Sequence, residues 1–198
     1  MDTGGDKHLH MVHAREDLAC SFESLAVCEL NTEVLRPILQ ARREGKRVDI
    51  QYASLSSPEP EYRVIQPHTV VHSAYRWHVR VWCEKNGEFR DFVLSKISES
   101  TGITLPATHC ANQNEAWNAS VTLTLIPAPG LSRAQKAVIA GDYGLKNMQL
   151  SIPTRGALVS YVLQQLRVDS SPRERSPEAQ QVVVKNRDKV ARWLIDAG

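Results

Sequence analysis

The chain has 198 residues, with 24 Lys and Arg against 22 Asp and Glu for a net charge of +2, a balance too even to imply a nucleic-acid binder from composition alone. That length fits one large domain or two small ones, and the modest ten Gly and ten Pro predict that most of it folds. There is no apolar run of about 18 residues, and the start, MDTGGDKHLH, lacks an apolar stretch, which argues against a helical membrane span or a secretory signal and predicts a cytoplasmic protein.

Residues 1–30 read as a polar, disordered tail and a linker arm. His8, His10 and His13 fall in that tail before any regular pattern, so solvated side chains are expected rather than metal ligands. Cysteines at 20, 28, 83 and 110 form no C-x-x-C pair, and reduced thiols are expected. Asn31 or Thr32 is placed to cap a linker helix over 31–46, with Val34, Leu35, Ile38 and Leu39 as its apolar face and Gly45 as its stop. Pro37 lies inside that pattern and is tolerated only in a first turn or a local bend.

A run of short strands follows over 47–100. Val48, Ile50 and Tyr52 alternate with polar residues, SSPEPE makes a turn, and Tyr62–Ile65 and Thr69–His72 flank a break at Pro67. Tyr75–Cys83 alternates Arg76, His78 and Arg80 with Trp77, Val79 and Val81, which predicts one face in a core and one polar face suited to an anion. Asn86-Gly87 predicts a tight hairpin into Phe89–Leu94, whose faces are Phe89, Asp91, Val93 and Arg90, Phe92, Leu94. A short element from Lys96 completes the set. Five short strands in some fifty residues are most economically closed as a small barrel.

The polar stretch 101–118 loses period and reads as a linker. The remainder, 119–198, alternates strand and helix: strand 121–125, a Ser132-capped helix with Ala137, Val138 and Ala140 inward, strand 148–152, helix 156–167, strand 181–184 and helix 187–197. Leu158, Tyr161, Val162, Leu163 and Leu166 give the middle helix a broad apolar stripe. The order predicts a small α/β sandwich with helices over one face.

Phosphate-loop, dinucleotide, nucleophile-elbow, H-E-x-x-H and EF-hand patterns are all missing from the sequence, so an enzyme is not expected and no cofactor or metal is implied. Asp49 and Asp91 read as solvated partners of the surrounding cations. What stands out is the cationic and polar density of Tyr52, Ser54, Arg63, His68, His72, Arg76, His78, Arg80, Arg90 and Lys96. Guanidinium groups on neighbouring strands can converge to grip phosphate bidentately, with Tyr and His adding stacking or donor contacts. The same residues also suit an ordinary wet strand face. Arg63, beside Glu61, and Arg80, near its strand's end, are the two best explained as structural or solvated.

The Arg63-x-Ile65-x-Pro67-His68 run, then RWHVR at 76–80 and FRDFVLSKI at 89–97, closely resemble the WYL domain, whose namesake triad here reads Trp77-His78-Val79. TEVLRPILQARREGKRVDIQYASLSSPEPEYR resembles the helix, strand and turn that lead into that domain. VTLTLIPAPGLSRAQKAVIAGDYG and MQLSIPTRGALVSYVLQQL resemble the C-terminal extension of WYL regulators. The branch is that of bacterial repressors governing anti-phage defence islands, including those beside BREX and CBASS systems.

The resemblance implies an α+β protein: a Sm-like β-barrel over 47–100 followed by the small α/β sandwich as a dimerisation domain. It implies a homodimer that senses an anionic effector, such as a cyclic or short oligonucleotide or single-stranded DNA. It places the pocket on Tyr52, Ser54, His68, Arg76, His78, Arg90 and Lys96, with Trp77 and Phe92 in support. The family usually has Arg where Lys96 stands, so the charge is kept and the bidentate fork is lost. Thirty residues precede Asn31, too few for the winged helix-turn-helix of that family, so promoter DNA is expected to be reached only through a DNA-binding domain not present in this chain. A stand-alone single-stranded nucleic-acid-binding module and a protein-interaction domain are the alternatives.

Overall fold

The computed structural model describes residues 30–73, 76–169 and 175–194. The tail and arm at 1–29 lie outside them, with Cys20, Cys28 and the three tail histidines, as do Tyr75 and the last four residues. The chain is mixed α and β, with two antiparallel sheets.

Helix α1 (Thr32–Glu44) begins at Asn31, whose side chain accepts from the Glu33 N–H at 3.0 Å, and ends at Gly45, whose φ of 63° is the left-handed cap geometry expected of glycine. It runs unbroken through Pro37. Val34, Ile38 and Ala41, spaced to fall on one stripe, are its buried residues and lie against the first sheet. That sheet contains β1 (Lys46–Tyr52), β2 (Glu61–Ser73), β3 (Arg76–Cys83), β4 (Glu88–Val93) and β5 (Ile97–Pro106), in the order β4-β3-β2-β1-β5. Val48, Ile50, Ile65, Val79, Val81 and Phe92 are among its fully or almost fully buried residues, so the alternation in β1 and β3 does mark a core face.

Three features differ from the expectation. As hydrogen-bonded, the sheet is open, with β4 and β5 as edges; a three-residue 3-10 turn, Leu94–Lys96, joins them, and no ladder closes a barrel among the described strands. The final strand is ten residues long rather than short, because it pairs with β1 along that strand's whole length. Proline 67 does not divide β2. Pairing passes from Pro67–Val81 to Thr69–Arg80, so His68 is the extra residue of a bulge.

The second sheet has the order β7-β6-β8, from β6 (Ser120–Pro127), β7 (Leu150–Arg155) and β8 (Val182–Val184). Leu123 and Leu125 of β6 are buried with Val182, Val190 and the Val159 and Leu163 of helix α4 (Val159–Gln165). Short helix α2 (Glu115–Asn118) precedes this sheet, helix α3 (Arg133–Asp142) links β6 to β7, and α5 (Arg187–Val190) follows β8. In α3 it is Ile139 that is buried, while Val138 is 63% exposed, so the inward face is one residue on from the one expected. Met148 lies outside β7. Asn147 and Met148 both have left-handed φ, 51° and 60°, and turn the chain within the Lys146–Gln149 bridge before the strand begins.

The helix expected from residue 156 starts instead as a 3-10 turn, Gly156–Leu158. A Cβ on Gly156 would stand 2.7 Å from Trp193 Cδ2, so the ring's close approach reserves this position for glycine. Gly156→Ala is expected to lower stability by roughly 1–3 kcal/mol through overpacking. Urea unfolding reads this as a fall in midpoint, and an unchanged midpoint would show that the Trp193 ring yields freely.

Candidate functional site

Residues directly opposite in an antiparallel ladder share a face. Arg76, His78 and Arg80 on β3 therefore stand with Ser73, Val71 and Thr69 of β2, and His78 and Arg80 stand with Val93 and Asp91 of β4. This face does not open entirely to solvent. His78 is 7% exposed and Arg80 5%.

Arg80 is the centre of a polar node. Its Nη1 donates to Asp91 Oδ2 at 2.9 Å and its Nη2 reaches Asn114 Oδ1 at 3.4 Å. The same Asp91 oxygen accepts from the Tyr161 hydroxyl of α4 at 2.9 Å, which ties the two sheets together. Asp91 is thus a half-buried acceptor for two groups, not the solvated partner its sequence context implies; its side chain is 16% exposed. Burial first, and then the Asp91 carboxylate, push the Tyr161 hydroxyl's pKa far up, so it remains a donor. The Tyr161 ring lies tilted against the His78 imidazole, with centroids 4.7 Å apart.

His68 belongs to this node. Its Nε2 meets Asn114 Nδ2 at 3.0 Å and its Nδ1 meets Thr69 Oγ1 at 2.9 Å. Asn114 Oδ1 already accepts from Arg80 and from the Trp117 N–H, so its amide end faces the histidine. Hence Nε2 accepts and Nδ1 carries the proton. Burial, with Arg80 and Arg42 nearby, holds the imidazole at about 4, and the neutral form persists. The bulge also turns the His68 carbonyl to accept from Arg42 Nε at 2.9 Å. Gln66, 1% exposed, accepts from the N–H groups of Thr108 and His109, both at 2.8 Å, and fixes the segment that leads to Asn114.

Of the remaining expected site residues, Tyr52 ends β1, Arg76 begins β3 with His78 two residues on, Lys96 ends the 3-10 turn after β4, and Arg90 lies within β4 opposite Val81. The ring of Tyr52 packs edge-on against Phe92, with centroids 4.7 Å apart. Burial raises the pKa of its hydroxyl, opposed by a hydrogen bond from the Val93 backbone and by the fields of Arg63, Arg90 and Arg76. Burial also lowers the pKa of His78, which Asp91 opposes and which Arg76, His72 and Lys96 reinforce. Its Nδ1 is buried without a hydrogen-bond partner. Tyr52 thus lies in the fields of Arg63, Arg90 and Arg76, and His78 in those of Arg76 and Lys96, so that Arg76 is shared by the two. Arg63 is paired with Glu61 at 3.0 Å, and Arg90 with Glu88 at 3.4 Å on an exposed edge. Exposed pairs such as the latter are weak and exchange readily for a better anion.

His68 thus sits apart from the corner, inside the polar node. Ser54 lies in the turn after β1, where its Oγ meets Ser56 Oγ at 3.1 Å and accepts from the Ser57 N–H at 3.1 Å, while the next residue back, Ala53, donates to the Lys96 carbonyl at 3.2 Å. Trp77 packs beside the first core with its ring 4.6 Å from that of His72, and Phe92 is buried in it.

Asp91, Asn114, Tyr161 and Gln66 were not among the expected site residues. The first had no usable signal: a two-residue turn at Asn86-Gly87 would pair it with Trp82, and only the four-residue loop 84–87 brings it opposite Arg80. The other three are brought in by tertiary packing alone.

The neutral His68 has a stability consequence. In the unfolded chain this residue takes up a proton near pH 6.5, whereas the folded one does so only near 4. The unfolded state therefore binds more protons between these values, and stability falls as pH drops from 6.5 towards 4. His78 shifts in the same direction. His68→Gln, which keeps an acceptor for Asn114, should flatten that slope in urea titrations repeated across the range; an identical slope would contradict the assignment.

Two family models match. Residues 33–101 match the WYL domain, and residues 120–190 match the BrxR transcriptional regulator, C-terminal dimerization domain. A relative named DNA-binding transcriptional repressor CapW, from Escherichia coli (strain KTE188), is 40% identical over 161 residues, covering 81% of this chain and 54% of the relative. Proteins of the same name from Pseudomonas aeruginosa and Stenotrophomonas maltophilia are 36% and 30% identical, over 81% and 83% of this chain and 54% and 55% of their own lengths. The chain so spans about half the length of the curated relatives it matches. Proteasome accessory factor B/C (PafBC) of Arthrobacter aurescens aligns with 85% of this chain and 28% of its own, at 17% identity and a TM-score of 0.37. With a WYL domain carrying its Trp77-His78-Val79 triad on β3 and a BrxR-type dimerization domain built on the second sheet, the chain belongs to the WYL family, in the branch of its CapW relatives.

Proposed function

We propose that the chain is the effector-sensing and dimerisation portion of a transcriptional repressor, and that its effector is a nucleotide or single-stranded nucleic acid. The observation that carries this reading is that Tyr52 lies in the fields of Arg63, Arg90 and Arg76, and His78 in those of Arg76 and Lys96, with Arg76 common to both. Side chains from separate elements aimed at one place form a preorganised anion site, in which guanidinium groups take phosphate oxygens and the Tyr52 hydroxyl offers a further contact. Arg76, Arg90, Lys96 and Tyr52 contact the effector, Ser54 borders it, Trp77 and Phe92 support the wall, and His78 lies beneath. His68 acts from the polar node rather than at the corner.

The names of the relatives support repression, and that of the second matched family supports a homodimer formed through the C-terminal unit. Promoter contact is assigned to a DNA-binding domain outside residues 30–194. We place the boundary between the two units within the expected 101–118 stretch, after the residues of it that belong to β5. No helix among the described residues is long and apolar enough to cross a membrane, and a cytoplasmic, non-enzymatic role without a cofactor completes the reading.

Fluorescence anisotropy with a labelled oligothymidylate tests the corner. Arg76→Ala and Arg90→Ala should each weaken binding about tenfold and reduce the salt dependence by about 0.7 in slope, as expected for one lost phosphate contact on a single strand. Curves unchanged in both variants would remove the corner as the effector site and favour the protein-interaction alternative.

A further inference from the structure

Asp91 connects two parts of the molecule that share no core. Its Oδ2 accepts from Arg80 within the first sheet and from Tyr161 on α4 of the second unit, each at 2.9 Å. On α4, Val159 and Leu163 point into the second core with 0% and 1% exposure, and Tyr161 is the residue of that helix that reaches the first sheet's polar face. Through its ring it touches His78, and His78 lies in the fields of Arg76 and Lys96. Contact thus runs from His78 through Tyr161 to the helix that packs on the second sheet, and His78 is joined to the cationic corner by the charges of Arg76 and Lys96.

We propose that the Tyr161–Asp91 hydrogen bond transmits occupancy of the cationic corner to the C-terminal unit. The inference rests on the corner being the effector site. An anion seated against Arg76 and Lys96 removes two positive fields from His78 and supplies a negative one. Tyr161 on α4, neutral, packs on His78, and the charges within its reach are Asp91 on β4, Arg76 on its own strand, His72 on β2 and Lys96 in the 3-10 turn. With the two cations offset, the imidazole gains a proton at the unpartnered Nδ1. Asp91 then shares its charge between Arg80 and a second cation, and its hold on the Tyr161 hydroxyl changes. The pair is nearly dry, with Arg80 6% and Asp91 16% exposed, so water screens little of that change. Occupancy becomes coupled to α4 through a contact that differs between two states, which is what transmission requires.

Hydrogen exchange on the full chain tests this, with an oligothymidylate as probe and Tyr161→Phe as the variant. That substitution leaves the ring on His78 and removes only the hydroxyl, so the fold is retained. The probe should alter amide exchange across residues 159–165 by at least twofold in the original chain. In Tyr161→Phe it should bind within twofold of the same affinity and leave exchange there unaltered. An equal exchange response in both proteins overturns the proposal. So does probe binding that never alters exchange at 159–165 in the original chain, although the corner then stands as a binding site. No probe binding to the original chain overturns the effector site and this inference together.

Discussion

A buried arginine must be matched by an acceptor, and the structure depends on how Arg80 is matched. Leaving one member of a buried ion pair without the other costs about 3–5 kcal/mol. Arg80 avoids this through Asp91, directly opposite on the hairpin, and Asn114, delivered by the segment after β5. Each partner draws in another element. Asp91 holds Tyr161 of α4, and Asn114 holds His68 at the bulge in β2 and starts helix α2 through the Trp117 N–H. Among the described residues, the cores of the first and second sheets are joined by a polar seam with a definite geometry. Polar contacts of this kind fix a relative placement that apolar packing would leave loose.

The seam also sorts the charges. The β3 strand offers three cationic or potentially cationic groups on one face, and they divide by position. Arg80 lies deep in the strand and is neutralised by its own chain, whereas Arg76 is exposed at the strand's start, beside the turn that brings Lys96. His78 sits between them, buried under Tyr161 and sensitive to both sets of charge.

Much of this was legible in the sequence. Period-two alternation identified the core faces of β1 and β3, Asn86-Gly87 marked the hairpin although its loop is the four residues 84–87 rather than a two-residue turn, and Asn31 and Gly45 bounded α1, because each rests on local geometry. The bulge at His68 was not legible, since a proline in a strand reads equally as a break. Residues 97–106 lack apolar alternation because β5 is an edge strand with most of its side chains in solvent, yet pairing to β1 makes it the sheet's other border. At the site, the cationic residues were visible by type and spacing. Their division was not, as Tyr161 and Asn114 approach Arg80 and His68 only through tertiary packing, at separations no local pattern records.

The seam's reality is tested most directly by a double-mutant cycle on Asp91 and Tyr161, measured by urea unfolding of Asp91→Ala, Tyr161→Phe and the double variant. A hydrogen bond from a half-buried hydroxyl to a carboxylate should give a coupling of about 1.5–3 kcal/mol. Additivity within about 0.3 kcal/mol would mean that the two residues are neighbours without an interaction, and that the sheets are held together by something else.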